Sequence, residues 1–170
     1  RQASMMDFGS SCSVLAKRAE TVCLRPHPGG QFLTRNDIAP PANARLDDRP
    51  IYDIDLRGFT YGISAPSSVV LDMVLADLPT ALWADPEGVM DIDNYEGMTV
   101  IRHRSDWLAF YRDACLRPEI IRARQRRFVE QTGMPLDPAD VRRRFGDLLE
   151  LAVYRADAPA ARSGMGAMAC

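Results

Sequence analysis

Apolar residues recur along this chain in two rhythms. Three short runs, Glu20-Thr21-Val22-Cys23-Leu24, Thr60-Tyr61-Gly62-Ile63-Ser64-Ala65 and Thr80-Ala81-Leu82-Trp83-Ala84, are short and rich in β-branched, aromatic or small apolar residues, as buried strands are. Elsewhere the apolar positions fall three and four apart. That spacing predicts helices over residues 6–18 and 68–78, the latter carrying Val70, Met73, Val74 and Leu78. Ser105-Asp106 reads as the cap of a further helix bearing Trp107, Leu108, Phe110 and Tyr111. Pro118 opens another, with Ile120, Ile121 and Phe128 on its inner face and Gly133 at its end. The pattern over residues 137–154 predicts a last helix that buries Val141, Phe145, Leu148, Leu149 and Val153.

The stretches between these elements are punctuated by Pro, Gly, Asn and Asp. Residues 31–50 read as a long loop with room for one short strand, and residues 51–59 as a short helix beneath the second strand. Residues 155–170, rich in Ala and Gly, read as a flexible tail. Strand and helix alternate through the middle of the chain. The expected fold class is therefore α/β, a Rossmann-like parallel sheet flanked by helices, formed by one domain over residues 1–154. A length of 170 residues and a hydrophobic content of 46% are enough for one well-packed core.

Two short words stand where such sheets place their ligands. Arg25-Pro26-His27-Pro28 follows the first strand directly, and its prolines hold His27 at the strand's carboxyl end. An imidazole titrates near neutrality, so it suits donation to a phosphate oxygen or sharing of its proton as a nucleotide leaves. Arg25 beside it has the geometry for a bidentate phosphate contact. Pro66-Ser67-Ser68 follows the strand at 60–65 and opens an apolar helix. Serine caps helices, and the amides of a first turn together with the helix dipole form an anion site. Asp72 lies one turn further on, within reach of a ribose hydroxyl if it faces the same cleft.

This pair of words resembles the HP and SS motifs of bacterial capsule and wall-polymer glycosyltransferases of GT-B architecture, including polysialyltransferase-like, Kdo-transferase-like and polyol-phosphate transferase-like enzymes. The resemblance implies the carboxyl-terminal, donor-binding half of a two-domain transferase, with the acceptor domain upstream of this chain. It implies that Arg25, His27, Ser67 and Ser68 hold the donor phosphate and that His27 acts in catalysis. The implied function is transfer of a sugar from a nucleotide-activated donor to a growing cell-surface polysaccharide or a lipid-linked acceptor. The donor is then a substrate, no cofactor is expected, and the isolated chain is expected to be inactive. A nucleotide-sugar epimerase-like domain and a non-catalytic α/β interaction domain are the alternatives.

Charge and cysteine usage narrow this further. A formal net charge of -2 gives a nucleic-acid partner no general electrostatic support. Basic residues are nonetheless clustered, as Arg122, Arg124, Arg126 and Arg127 on one predicted helix and Arg142, Arg143 and Arg144 on the next. Such runs are solvated faces or sites of peripheral contact with anionic headgroups. No run approaches the ~20 apolar residues needed to span a bilayer. Cys12, Cys23, Cys115 and Cys170 have neither zinc nor redox-pair spacing, and Cys23 reads as a small core residue. The expected location is the cytoplasm, with possible attachment at the inner face of the membrane. Asp91-x-Asp93 lacks the convergent oxygens of a hard-cation site, so no metal is expected there.

Overall fold

The computed structural model describes residues 2–17, 20–26, 39–85 and 90–157. His27 lies outside the described residues, as do residues 158–170. The chain divides into two compact units, Arg1–Thr132 and Gly133–Cys170.

The first unit is mixed α/β with two small parallel sheets. Helix α1 (Gln2–Ala16) leads to β1 (Val22–Leu24), which pairs in parallel with β2 (Ala44–Leu46) in the register Leu24 to Leu46. Strand β3 (Gly62–Ser64) leads through α2 (Ser68–Leu75) to β4 (Thr80–Trp83), its parallel neighbour. A third parallel strand, β5 (Thr99–Ile101), completes the order β3-β4-β5 and is followed by α3 (Arg104–Leu116) and α4 (Pro118–Thr132). The βα alternation of the sequence is therefore real, and all pairings are parallel. The three-stranded sheet has its central strand buried, with Ala81 and Leu82 wholly inside. Successive side chains of a strand point to opposite faces. Accordingly Ala81 and Ile101 join Cys12, Leu15, Trp107 and Phe110 in one core, while Leu82 joins Val70, Val74, Phe128 and Val129 in a second. Val22 of β1 and Ile63 of β3 lean on the first core, although no hydrogen-bonded ladder joins the two sheets among the described residues.

Local polar contacts fix the joints. Asn43 donates through Nδ2 to the carbonyls of Cys12 (2.9 Å) and Glu20 (3.1 Å), tying the end of α1 to the start of β1. The Tyr111 hydroxyl donates to Glu20 at 2.7 Å, and Trp107 Nε1 donates to the Tyr61 hydroxyl at 3.1 Å. At the corner between α2 and β4, Asp77 sits in the left-handed region with φ 56°. Gln125 of α4 reaches from the far side to hold that corner. Its Nε2 donates to Leu78 O and its Oε1 accepts from Thr80 N–H, each at 2.9 Å.

Several sequence expectations change. Strand β5 was not anticipated, because Thr99-Val100-Ile101 is followed at once by Arg102-His103-Arg104 and no longer strand-like run surrounds it. Residues 51–59 form two 3-10 turns, Ile51–Asp53 and Leu56–Gly58, in place of a helix. Helix α2 stops at Leu75, since the left-handed Asp77 cannot continue it. The inner face of α4 is Ile121, Gln125, Phe128 and Val129, with Ile120 exposed. Cys23 is half-buried, not a core residue.

The second unit contains α5 (Pro138–Asp157). It is amphipathic as expected. Among the described residues, however, Val141, Phe145, Leu148, Leu149 and Val153 are exposed rather than buried.

Candidate functional site

The carboxyl edge of β3-β4-β5 is the place to build a site, because parallel strands deliver their following loops and helix starts to that edge. The register sets Ser64, Leu82 and Val100 level with one another. Three residues beyond that level come Ser67, Asp85 and His103, one from each strand. The last two were not singled out in the sequence. His103 could have been found only by recognising Thr99-Val100-Ile101 as a strand.

At the end of β3 the chain turns through Pro66, and Ser67 takes the N-cap position of α2 in extended conformation. Its side chain makes no capping bond. The Ser67 hydroxyl lies 3.2 Å from that of Ser64, whose oxygen is 2.9 Å from the Ala65 carbonyl. A hydroxyl has one proton to give. With the Ser64 proton on the Ala65 carbonyl, Ser67 is the donor of the pair and Ser64 the acceptor. The Ser67 carbonyl accepts from Val70 N–H at 3.1 Å and from the Tyr95 hydroxyl at 3.4 Å, so residues 93–95 close over this turn. Tyr95 itself stacks on Phe128, with ring centroids 5.9 Å apart and planes 16° apart. Ser68 is exposed and there is no acidic residue in the first turn of α2.

The next helix start is built differently. Asp106 of α3 accepts through Oδ2 from the backbone N–H groups of Arg102 and His103, each at 3.0 Å. These bonds to its charged form hold the Asp106 carboxyl below its usual range. The start of α3 thus carries its own carboxylate in its first turn, bonded to the N–H groups of Arg102 and His103 just before the helix, and that charge repels a second anion. Helix α2 has no such plug. Of the two helix starts on this edge, only that of α2 is electrostatically suited to a phosphate.

The remaining predicted residues are placed as follows. Arg25 leaves β1 and donates through Nε to the Arg49 carbonyl at 2.9 Å, so it ties the exit of β1 to the exit of β2. In the same knot Arg49 forms a two-pronged pair with Asp47, Nε to Oδ1 at 2.9 Å and a terminal guanidinium nitrogen to Oδ2 at 2.7 Å. That bonding pulls the Asp47 carboxyl down to about 2. Asp72 lies on α2 one turn beyond Ser68 but opens into another cleft, lined by residues 51, 52 and 54–57 from the 3-10 segment and by Leu75 and Ala76 of α2. Ser67 and Ser68 therefore share the start of α2, whereas Arg25 stands at the exit of β1 with its Nε on the Arg49 carbonyl.

Asp85 accepts from Met90 N–H at 2.9 Å, and Asp91 from Asp93 N–H at 3.0 Å, which makes these acids turn-formers. Among the described residues no group of three or more His, Cys, Asp or Glu is arranged to hold a metal ion, and no helix is long and apolar enough to cross a membrane. The arginine clusters are partly spent inside the protein. Arg122 pairs with Asp77 at 3.2 Å, Arg143 pairs with Asp140 at 3.0 Å and lies 3.7 Å from Asp147, and Arg144 donates to the Gly133 carbonyl.

Compared with known proteins, the chain matches no protein-family model, no curated protein and no solved structure.

Proposed function

We propose that this chain binds the phosphate of a nucleotide-activated donor at the start of α2, as the donor-binding domain of a glycosyltransferase or polyol-phosphate transferase acting on a cell-surface polysaccharide. The observation that supports this reading best is the contrast between two helix starts on one sheet edge. That of α2 presents serine hydroxyls and no acid in its first turn, while that of α3 carries the Asp106 carboxylate there. The order of the motifs Arg25-Pro26-His27-Pro28 and Pro66-Ser67-Ser68 supplies the transferase part of the reading. In it His27 meets the leaving phosphate, and the acceptor and general base belong to a partner domain. Chemistry between two domains depends on holding the reactants against each other, so this chain alone binds a nucleotide and transfers nothing. The exposed Arg124, Arg126 and Arg127 on α4 would favour peripheral contact with an anionic membrane.

The test is calorimetric titration with CMP, CDP, UDP and GDP. Replacing Ser67 and Ser68 together by alanine removes the hydroxyls and leaves the amides, so binding of the preferred nucleotide should weaken by about 1–2 kcal/mol. The corresponding nucleoside without phosphate should not distinguish the variant from the parent. Equal nucleotide affinity in a folded double variant, or no binding of any of the four by the parent, overturns the proposal.

A further inference from the structure

The cleft beside α2 has a chemistry unlike that of the sheet edge, and it suits a different ligand. It holds about 520 Å³, within the range of ligand-binding clefts. One wall is the 3-10 segment with Ile51, Tyr52, Asp55 and Arg57, and the other is the outer face of α2 with Asp72 and Leu75. Tyr52 is 84% exposed, more than any other large apolar side chain named in the first unit, and Leu75 across the cleft is 55% exposed. Tyr52 and Leu75 line the same open cleft from its two walls.

Polar groups are set around this apolar floor. Asp55 accepts from Arg57 N–H at 3.1 Å through one oxygen, leaving the other for a ligand. Asp72 makes no side-chain hydrogen bond or ion pair among the described residues. The lining therefore offers an aromatic face, two acceptor-only carboxylates and one guanidinium donor. A pyranose is complementary to this set. Its C–H face packs on an aromatic ring, and its equatorial hydroxyls donate to carboxylates and accept from guanidinium. Two carboxylates against one guanidinium leave the cleft electronegative, which disfavours uronic, sialic and phosphate-bearing chains.

We propose that the cleft formed by Tyr52, Asp55, Arg57, Asp72 and Leu75 binds an uncharged, hydroxyl-rich saccharide chain. The site is separate from the serines at the start of α2 and does not depend on nucleotide binding there. In this arrangement Tyr52 supplies the stacking platform and Asp72 fixes hydroxyl orientation.

The experiment is a titration of the isotope-labelled full chain with cellohexaose, maltohexaose and chitohexaose, read by two-dimensional amide NMR, with hexagalacturonate as the anionic comparison. At least one neutral hexasaccharide should produce saturable shifts at residues 51–57 and 72–76. Tyr52→Ala should weaken that binding by about tenfold, and Tyr52→Phe, which keeps the ring, by much less. Asp72→Asn should weaken it by roughly threefold to tenfold. Absence of shifts in the cleft with all three neutral probes, indifference to Tyr52→Ala, or equally tight binding of hexagalacturonate overturns the proposal. A nucleotide titration of the same sample reports on residues 67–69, so the two sites fail or stand separately.

Discussion

Gln125 offers the sharpest test of how the sheet edge is held. Its side chain is 3% exposed and spans the corner that carries the chain from α2 into β4. Replacement by leucine keeps most of the volume and removes both hydrogen bonds. The two partners left behind are not equal. Leu78 O still accepts from the Thr80 hydroxyl at 2.7 Å, so its loss is partial. Thr80 N–H has Gln125 Oε1 as its acceptor, and Thr80 is wholly buried. A buried donor left without a partner costs about 1–3 kcal/mol, so Gln125→Leu should destabilise by about 2 kcal/mol. For a chain of this size that corresponds to a fall of roughly 4–8 °C in Tm. Urea unfolding followed by the fluorescence of Trp83 and Trp107, both part of the first-unit core, measures it directly. Gln125→Glu separates the two bonds. A carboxylate still accepts from Thr80 N–H but opposes the Leu78 carbonyl, and burial favours its neutral form. With the folded-state pKa raised above the unfolded value of about 4.3, this variant should be least impaired in acid and lose stability as pH rises through and above that value. Stability of Gln125→Leu within about 0.5 kcal/mol of the parent would refute the assignment of the clamp.

Three other perturbations test the packing around the sheets. Asp47 is pulled down to about 2 by Arg49, so its contribution is present above the unfolded carboxyl value and is lost as pH falls toward 2; Arg49→Gln should flatten that part of an acid-unfolding curve. Tyr111 is pushed up to about 12, first by its bond to Glu20, and Tyr61 to about 12 by burial, so folding stability should decline between pH 10 and 12; Tyr111→Phe should reduce the slope in alkaline unfolding monitored by circular dichroism. A Cβ on Gly62 would collide with the Met73 sulfur and lie 3.2 Å from Leu78 Cδ2, so Gly62→Ala should destabilise by about 1–3 kcal/mol, with Met73→Ala in the same chain restoring part of the loss in a thermal-melt double-mutant cycle.

Much of the architecture was determined locally. The strand at 60–65, the turn at Pro66 and the helix start at Ser67 and Ser68 were legible because strand composition, a capping serine and 3.6-residue periodicity all act within a dozen residues. The same holds for α3 and α4, and for the amphipathic pattern of α5. Strand β5 was not legible, because Thr99-Val100-Ile101 runs straight into Arg102-His103-Arg104, with no longer strand-like run around it as β1 and β3 have. Nor could periodicity reveal that Gln125, amid the arginines of α4, points inward: its burial is decided by an open N–H on β4, 45 residues away. Arg25 looked like a phosphate ligand by type, and only the return of β2 beside β1 placed the Arg49 carbonyl in its reach. The serines at α2 were visible in the sequence as a potential anion site. Asp106 at α3 is local too, since it bonds the amides three and four residues before it, whereas the cleft beside Tyr52 that Asp72 lines depended on the 3-10 segment lying next to α2. Local rules act over a turn or two of chain and select elements. Where a polar group at an element's edge is held is decided by long-range contacts such as those of Gln125 and Arg25.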